Sequence, residues 1–185
     1  MTDRDADGAM AVRVSDIIRN FIRCSPANSL ENEVLEPAWS DPLIGFSGGY
    51  DPLYRRFKED IGAFFWTPAE IFAATFRTEP RALTVISWIL PQTEATKRDN
   101  RKEREYPSER WSRSRNFGEQ ANAALARHVV ASLEQIGCRA VAPSLSPLWE
   151  WQNSDRYGLA SNWSERHAAH VSGLGTFGLC DGLIT

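Results

Sequence analysis

The chain has little of what membrane-spanning, exported or nucleic-acid-binding proteins need. No window approaches the roughly 20 consecutive apolar residues of a membrane helix. The opening, MTDRDADGAM, is acidic and polar where a signal peptide is basic and then apolar. Only three cysteines occur, Cys24, Cys138 and Cys180, far apart in 185 residues. No pair has the spacing of a zinc or cluster knuckle, so they read as free thiols in a reducing compartment. A cytoplasmic protein without a membrane partner is expected. The net charge of −3 is too ordinary for a dedicated nucleic-acid binder. With 42% hydrophobic residues, the chain is long enough for one well-buried domain. Residues 14–185 are expected to form it, behind a disordered tail at 1–13.

What is present points to mixed helix and strand. Val14 to Arg23 places Val14, Ile17, Ile18, Phe21 and Ile22 on one helical face. Ser25 to Pro52, rich in Pro, Gly and Ser, reads as a long ordered loop with room for a short helix near Glu31. Leu53 to Phe65 is a second helical pattern. Thr67-Pro68-Ala69-Glu70 supplies a cap, a first-turn proline and a capping-box glutamate for a third helix, which Pro80 closes off. Leu83 to Leu90, LTVISWIL, is β-branched and nearly all apolar, as a strand covered on both faces should be. Phe117 to Ile136 is the longest helix, with Gly137 as its stop. Arg139 to Ala142 reads as a short strand. The expected fold class is α/β (α+β), a sandwich with a central mixed sheet flanked by helices.

Seven tryptophans are many for this length. They suit a core, and they also suit the pocket of a flat cofactor. From Thr96 to Arg115 the chain is polar, with Lys97, Arg98, Arg101, Lys102, Arg104, Arg110, Arg113 and Arg115 against Asp99, Glu103, Glu105 and Glu109. This segment reads as a phosphate-binding lip, for a nucleotide tail or a tRNA backbone, or as a solvated surface of mixed sign.

Asn162 to Thr185, NWSERHAAHVSGLGTFGLCDGLIT, combines a helix start, a glycine-rich turn and an apolar ending. Asn162 and Glu165 have capping-box spacing, and Gly173 is placed to stop the helix. Gly175 and Gly178 then let the backbone approach something bulky, or let the chain reverse tightly into a strand. Ser164 to Gly178 (SERHAAHVSGLGTFG) resembles the "ER…AGLGWIGK" segment of epoxyqueuosine reductases and the "AGLGE.GR" segment of corrinoid reductive dehalogenases. With LTVISWILPQ, PSERWSRSR and AVAPSLSP as supporting segments, the chain from about Ala38 onward resembles a branch of epoxyqueuosine reductase-like 4Fe-4S proteins.

That resemblance implies a corrinoid-binding portion, with cobalamin held by Gly173, Leu174, Gly175, Thr176, Phe177 and Gly178. It also implies an iron–sulfur electron donor and tRNA as possible partners. The family's ferredoxin-like region, with its CxxCxxCxxxCP runs, has no counterpart here, so no 4Fe-4S cluster is expected in this chain. The domain is accordingly expected to be truncated at its C-terminus, inactive alone and prone to dimerise. In the family an acid upstream of the glycine turn sits over cobalt. The "VDSAP" pattern is absent, and Asp155 and Tyr157 are the nearby candidates for a general acid if sheltered from water. His167 and His170, at i and i+3, share a helix face, but no third ligand is near in sequence and no metal site is expected. A corrinoid-binding oxidoreductase portion is the leading expectation; a non-catalytic corrinoid module and an RNA-interaction protein using residues 97–115 are the alternatives.

Overall fold

The computed structural model describes residues 3–185, with side chains from Gly8 onward. Met1 and Thr2 lie outside the described residues. The chain forms two compact units, each built from two stretches: residues 1–43 with 90–139, and residues 44–89 with 140–185. Length alone favours a single domain.

The first unit is helical. Helix α1, Asp3–Cys24, begins well before Val14, so residues 3–13, expected as a tail, are helical. Alanine, methionine and arginine at 6–13 are good helix formers, which outweighs the polar composition. Val14, Ile18 and Ile22 recur one turn apart and are buried. They face α5, Glu109–Gln135, whose buried stripe includes Ala121, Leu125, Val129 and Leu133. This helix starts earlier than its apolar period suggests, because Ser108 caps it by accepting from the Trp111 amide. It ends as expected. Gly137 takes φ +83, and the Gly137 and Cys138 amides bond Glu134 O and Leu133 O. Part of the polar 96–115 segment is helix α4, Glu94–Asn100, capped by Thr93. No helix forms near Glu31, which adopts φ +51.

The second unit, from Ile44 onward, holds strand β1 (Leu43–Gly48), α2 (Pro52–Ile61), α3 (Pro68–Phe76) and β2 (Thr84–Ile89). Its later elements are a 3-10 turn at Pro143–Leu145, β3 (Trp151–Ser154), β4 (Gly158–Ser161), α6 (Glu165–Val171), β5 (Thr176–Phe177) and β6 (Leu183–Ile184). Thr67 and Glu70 close the capping box of α3 as their spacing predicts, and Arg77 ends the helix in the left-handed region. The core gathers Tyr54, Ile71, Trp163 and Ala168, with Trp66, Val85 and Trp149 packed against them.

No central sheet forms among the described residues. The strands make three separate two-stranded sheets, β1 with β2, β3 with β4 and β5 with β6. In LTVISWIL only Ser87 is fully buried, so the strand is not covered on both faces. An apolar run states what prefers to leave water; it does not state how many neighbours will arrive. Residues 139–142 are not a strand. Pro143, which lacks an amide hydrogen, turns the chain into the 3-10 turn instead.

Candidate functional site

The residues singled out from the C-terminal third fall within the second unit, together with partners from α2 and β1. Asp155, Arg156 and Tyr157 form the turn of the antiparallel β3–β4 hairpin, which Gly158 completes at φ +70. Ser154 pins this turn. Its buried hydroxyl donates to Ile61 O at 2.6 Å, at the end of α2, and accepts from the Tyr157 amide at 3.2 Å. The Tyr157 phenol then donates to Asp60 Oδ2 at 2.6 Å, while Arg156 pairs with Asp60 Oδ1. Hydrogen bonding to the Asp60 carboxylate, with burial second, raises the phenol's pKa, so it stays protonated near neutrality. Neither candidate acid is sheltered: Tyr157 is 53% exposed and Asp155 is exposed.

One face of the hairpin presents two large apolar side chains to water, beside Asn153 and Ser161. Side chains alternate along each strand, and Trp151 pairs with Ser161 while Asn153 pairs with Leu159, so Trp151 and Leu159 share a side. They are 60% and 74% exposed, whereas Ser154, on the opposite side, is buried. Trp149 meets Trp151 edge to face at 5.2 Å and ties that ring to the core.

Helix α6 is capped by Ser164, which accepts from the His167 amide. Asn162 takes no part in the cap. It is buried and spent on the Glu150 amide and Leu148 O, so the cap lies two residues later, at Ser164, and no capping box forms, since His167 holds the third helical position. His167 Nδ1 lies 2.7 Å from Ser164 Oγ, and its ring is ringed by Phe57, Phe65 and Phe177 at centroid distances of 4.6, 5.7 and 4.7 Å. Burial lowers its pKa, with Asp181 pulling the other way. His170 Nδ1 lies 2.8 Å from Gly175 O, an acceptor only, so that nitrogen carries the ring hydrogen. Each histidine thus engages its Nδ1 within the unit, and no group of three potential metal ligands occurs among the described residues.

The glycine turn follows. Gly173, at φ +75, and Leu174 close α6 by donating to His170 O and Ala169 O. Thr176 and Phe177 pair with Ile184 and Leu183. A side chain at Gly175 would strike Ile184 O, and one at Gly178 would come within 2.8 Å of Ile184 Cδ1. The close approach these glycines permit is taken by the chain's own β6. A corrinoid, which the sequence resemblance implies, could not lie on that side of Gly175 and Gly178; Gly173 faces open space, and the hairpin exposes Trp151 and Leu159.

Four hydroxyls that no sequence spacing marks out converge behind the turn. Ser172, the last residue before Gly173, bonds Ser47 at 3.2 Å and Ser87 at 3.1 Å, and Ser47 bonds Tyr54 at 2.8 Å. This chain fixes the end of α6 to β1, β2 and α2. Single serines scattered over 125 positions carry no spacing signal.

Four of the eight basic side chains of the 97–115 segment, in the first unit, are ion-paired, whereas Arg98, Arg101, Arg104 and Arg115 are exposed. Lys97 pairs with Glu94, Lys102 with Asp99, Arg113 with Glu109, and Arg110 with both Glu36 and Asp99. Comparison with known family models, with curated proteins and with solved structures finds no match in any of the three.

Proposed function

We propose that the second unit is a corrinoid-binding portion of an epoxyqueuosine reductase-like protein, working as a binding module that performs no turnover on its own. The observation that carries the reading is the exposed Trp151–Leu159 face beside a hairpin turn fixed by Ser154 and Asp60. A flat macrocycle gains from apolar and aromatic area that is rigid before it binds. In this reading the ligand meets the hairpin and Gly173, and β6 keeps Gly175 and Gly178.

A bound corrinoid would supply reductive chemistry at cobalt. The chain's own residues bear on binding more than on proton delivery. Tyr157 is protonated, but its hydrogen is committed to Asp60 at 2.6 Å, and giving it to a substrate requires breaking that bond in water. Three distant cysteines offer no ligand set for a cluster, so electrons would come from a cluster-bearing segment or partner. The RNA-binding reading would rest on the exposed Arg98, Arg101, Arg104 and Arg115, because Arg110 and Arg113 already spend donors on Glu36, Asp99, Glu109 and Glu31 O.

An anaerobic assay with cobalamin, reduced ferredoxin and epoxyqueuosine-containing tRNA tests the absence of turnover. The proposal expects none from this chain. Multiple turnovers that fall sharply in Tyr157→Phe would make it an enzyme and Tyr157 its acid.

A further inference from the structure

In the first unit, Leu30 and Ala38 are fully buried, whereas most of the segment between them is exposed, with Val34 at 74% and Leu35 at 65%. Two of its residues, Glu31 and Leu35, sit at φ +51, a left-handed conformation that costs an ordinary side chain energy and that a leucine rarely adopts. The segment lines an open cleft of about 370 Å³, with Asn32, Glu33 and Val34 contributed by the segment and Asp99, Glu109, Arg110 and Arg113 by α4 and α5. Little apolar burial holds this segment down, so its position rests on polar ties.

Those ties converge on one guanidinium. Arg110 donates through Nε and Nη2 to both oxygens of Glu36, at 2.7 and 2.9 Å, and through Nη1 to Asp99 Oδ2 at 2.6 Å. A fork that grips one carboxylate with two parallel bonds is the strongest ion-pair geometry available. Arg113 adds a bond to Glu31 O at 2.9 Å. Hydrogen bonding to Arg110 holds the Glu36 and Asp99 carboxyls below their ordinary range, so both are ionised near neutrality.

We propose that residues 31–36 are a strap hinged at Leu30 and Ala38, closed over the cleft by the Arg110–Glu36–Asp99 clamp against backbone strain at Glu31 and Leu35. Closing stores the strain; releasing the clamp lets the segment leave the cleft while its buried anchors stay in place. The helices need not unfold for this. Asp99 on α4 and Arg110 on α5 keep their own caps, Thr93 and Ser108.

Native-state hydrogen exchange tests it. The Leu30, Leu35 and Glu36 amides are bonded in the closed strap, to Glu36 O, Asn32 O and Asn32 Oδ1. In Arg110→Met their exchange should accelerate about tenfold or more, the loss expected on removing hydrogen bonds to charged groups, while Leu125 and Val129 in α5 are unchanged. Adding Leu35→Gly, which removes the left-handed penalty, should restore part of the protection. Unchanged exchange at the three amides would overturn the strap, as would an equal rise at Leu125 and Val129, which signals global unfolding. Failure of Leu35→Gly to restore protection would overturn strain as the opening force.

Discussion

Gly118 lacks a side chain in the middle of α5 because the Trp39 indole lies where one would go, with Trp39 Nε1 donating to Gly118 O at 3.2 Å. Gly118→Val should destabilise the protein by about 1–3 kcal/mol, the usual cost of overpacking, measurable by urea titration. A loss below a few tenths would mean the indole moves aside freely. His167 gives a pH prediction. Its folded pKa lies below its unfolded value because burial among Phe57, Phe65 and Phe177 disfavours the charged ring. The unfolded chain therefore binds a proton that the folded chain refuses, and stability is full above about pH 6.5 and declines as pH falls below it. His167→Phe should flatten that decline in melting temperature between pH 7 and 5; an unaltered slope would show that other groups set it. Gly175 teaches caution. Gly175→Val would disturb β6 whether or not a ligand binds, so Trp151 and Leu159 are the cleaner positions for a binding test.

At the scale of elements, the caps decide where helices begin and end. Thr67→Ala removes the acceptor of the Glu70 amide and should cost about 1 kcal/mol. A thermal melt without a shift would place the start of α3 under tertiary control alone. The apolar period marks 14–23 of α1 and 117–135 of α5, the capping box marks the start of α3 and Gly137 the end of α5, because these signals are local; the starts of α1 and α5 carry no such apolar period. The sheet is not so marked. LTVISWIL announces a buried strand, but whether two strands or five assemble around it depends on long-range pairing that leaves no mark in a ten-residue window. The start of α6 was misread by two residues because Asn162 and Ser164 are both good caps, and only the fold shows that Asn162 serves Glu150 and Leu148. Asp155 and Tyr157 stand out in sequence only as candidate acids, and Asp60, which fixes Tyr157 from 97 positions away, does not stand out at all.

For the whole molecule, the division into two units separates the arginine-rich segment from the glycine turn, and each unit has its own candidate chemistry. Exposed apolar residues in the second unit, Trp151, Leu159, Leu179 and Ile184, favour self-association when nothing covers them. Light scattering should detect dimers or larger species at high concentration, reduced in Leu159→Ser with Leu179→Ser. A monodisperse monomer at every concentration would show that these side chains are too scattered to act as a patch. Binding of a corrinoid on the hairpin face of this unit is the proposal on which its function rests. Titrating the intact protein with cobalamin, followed by corrinoid absorbance under aerobic and reducing conditions, is its direct test. The proposal predicts a saturable change that weakens at least several-fold in Trp151→Ala with Leu159→Ser, at an unchanged melting temperature, since truncating contact side chains costs on the order of 1 kcal/mol or more. No binding under either condition, or binding indifferent to both substitutions, would contradict it.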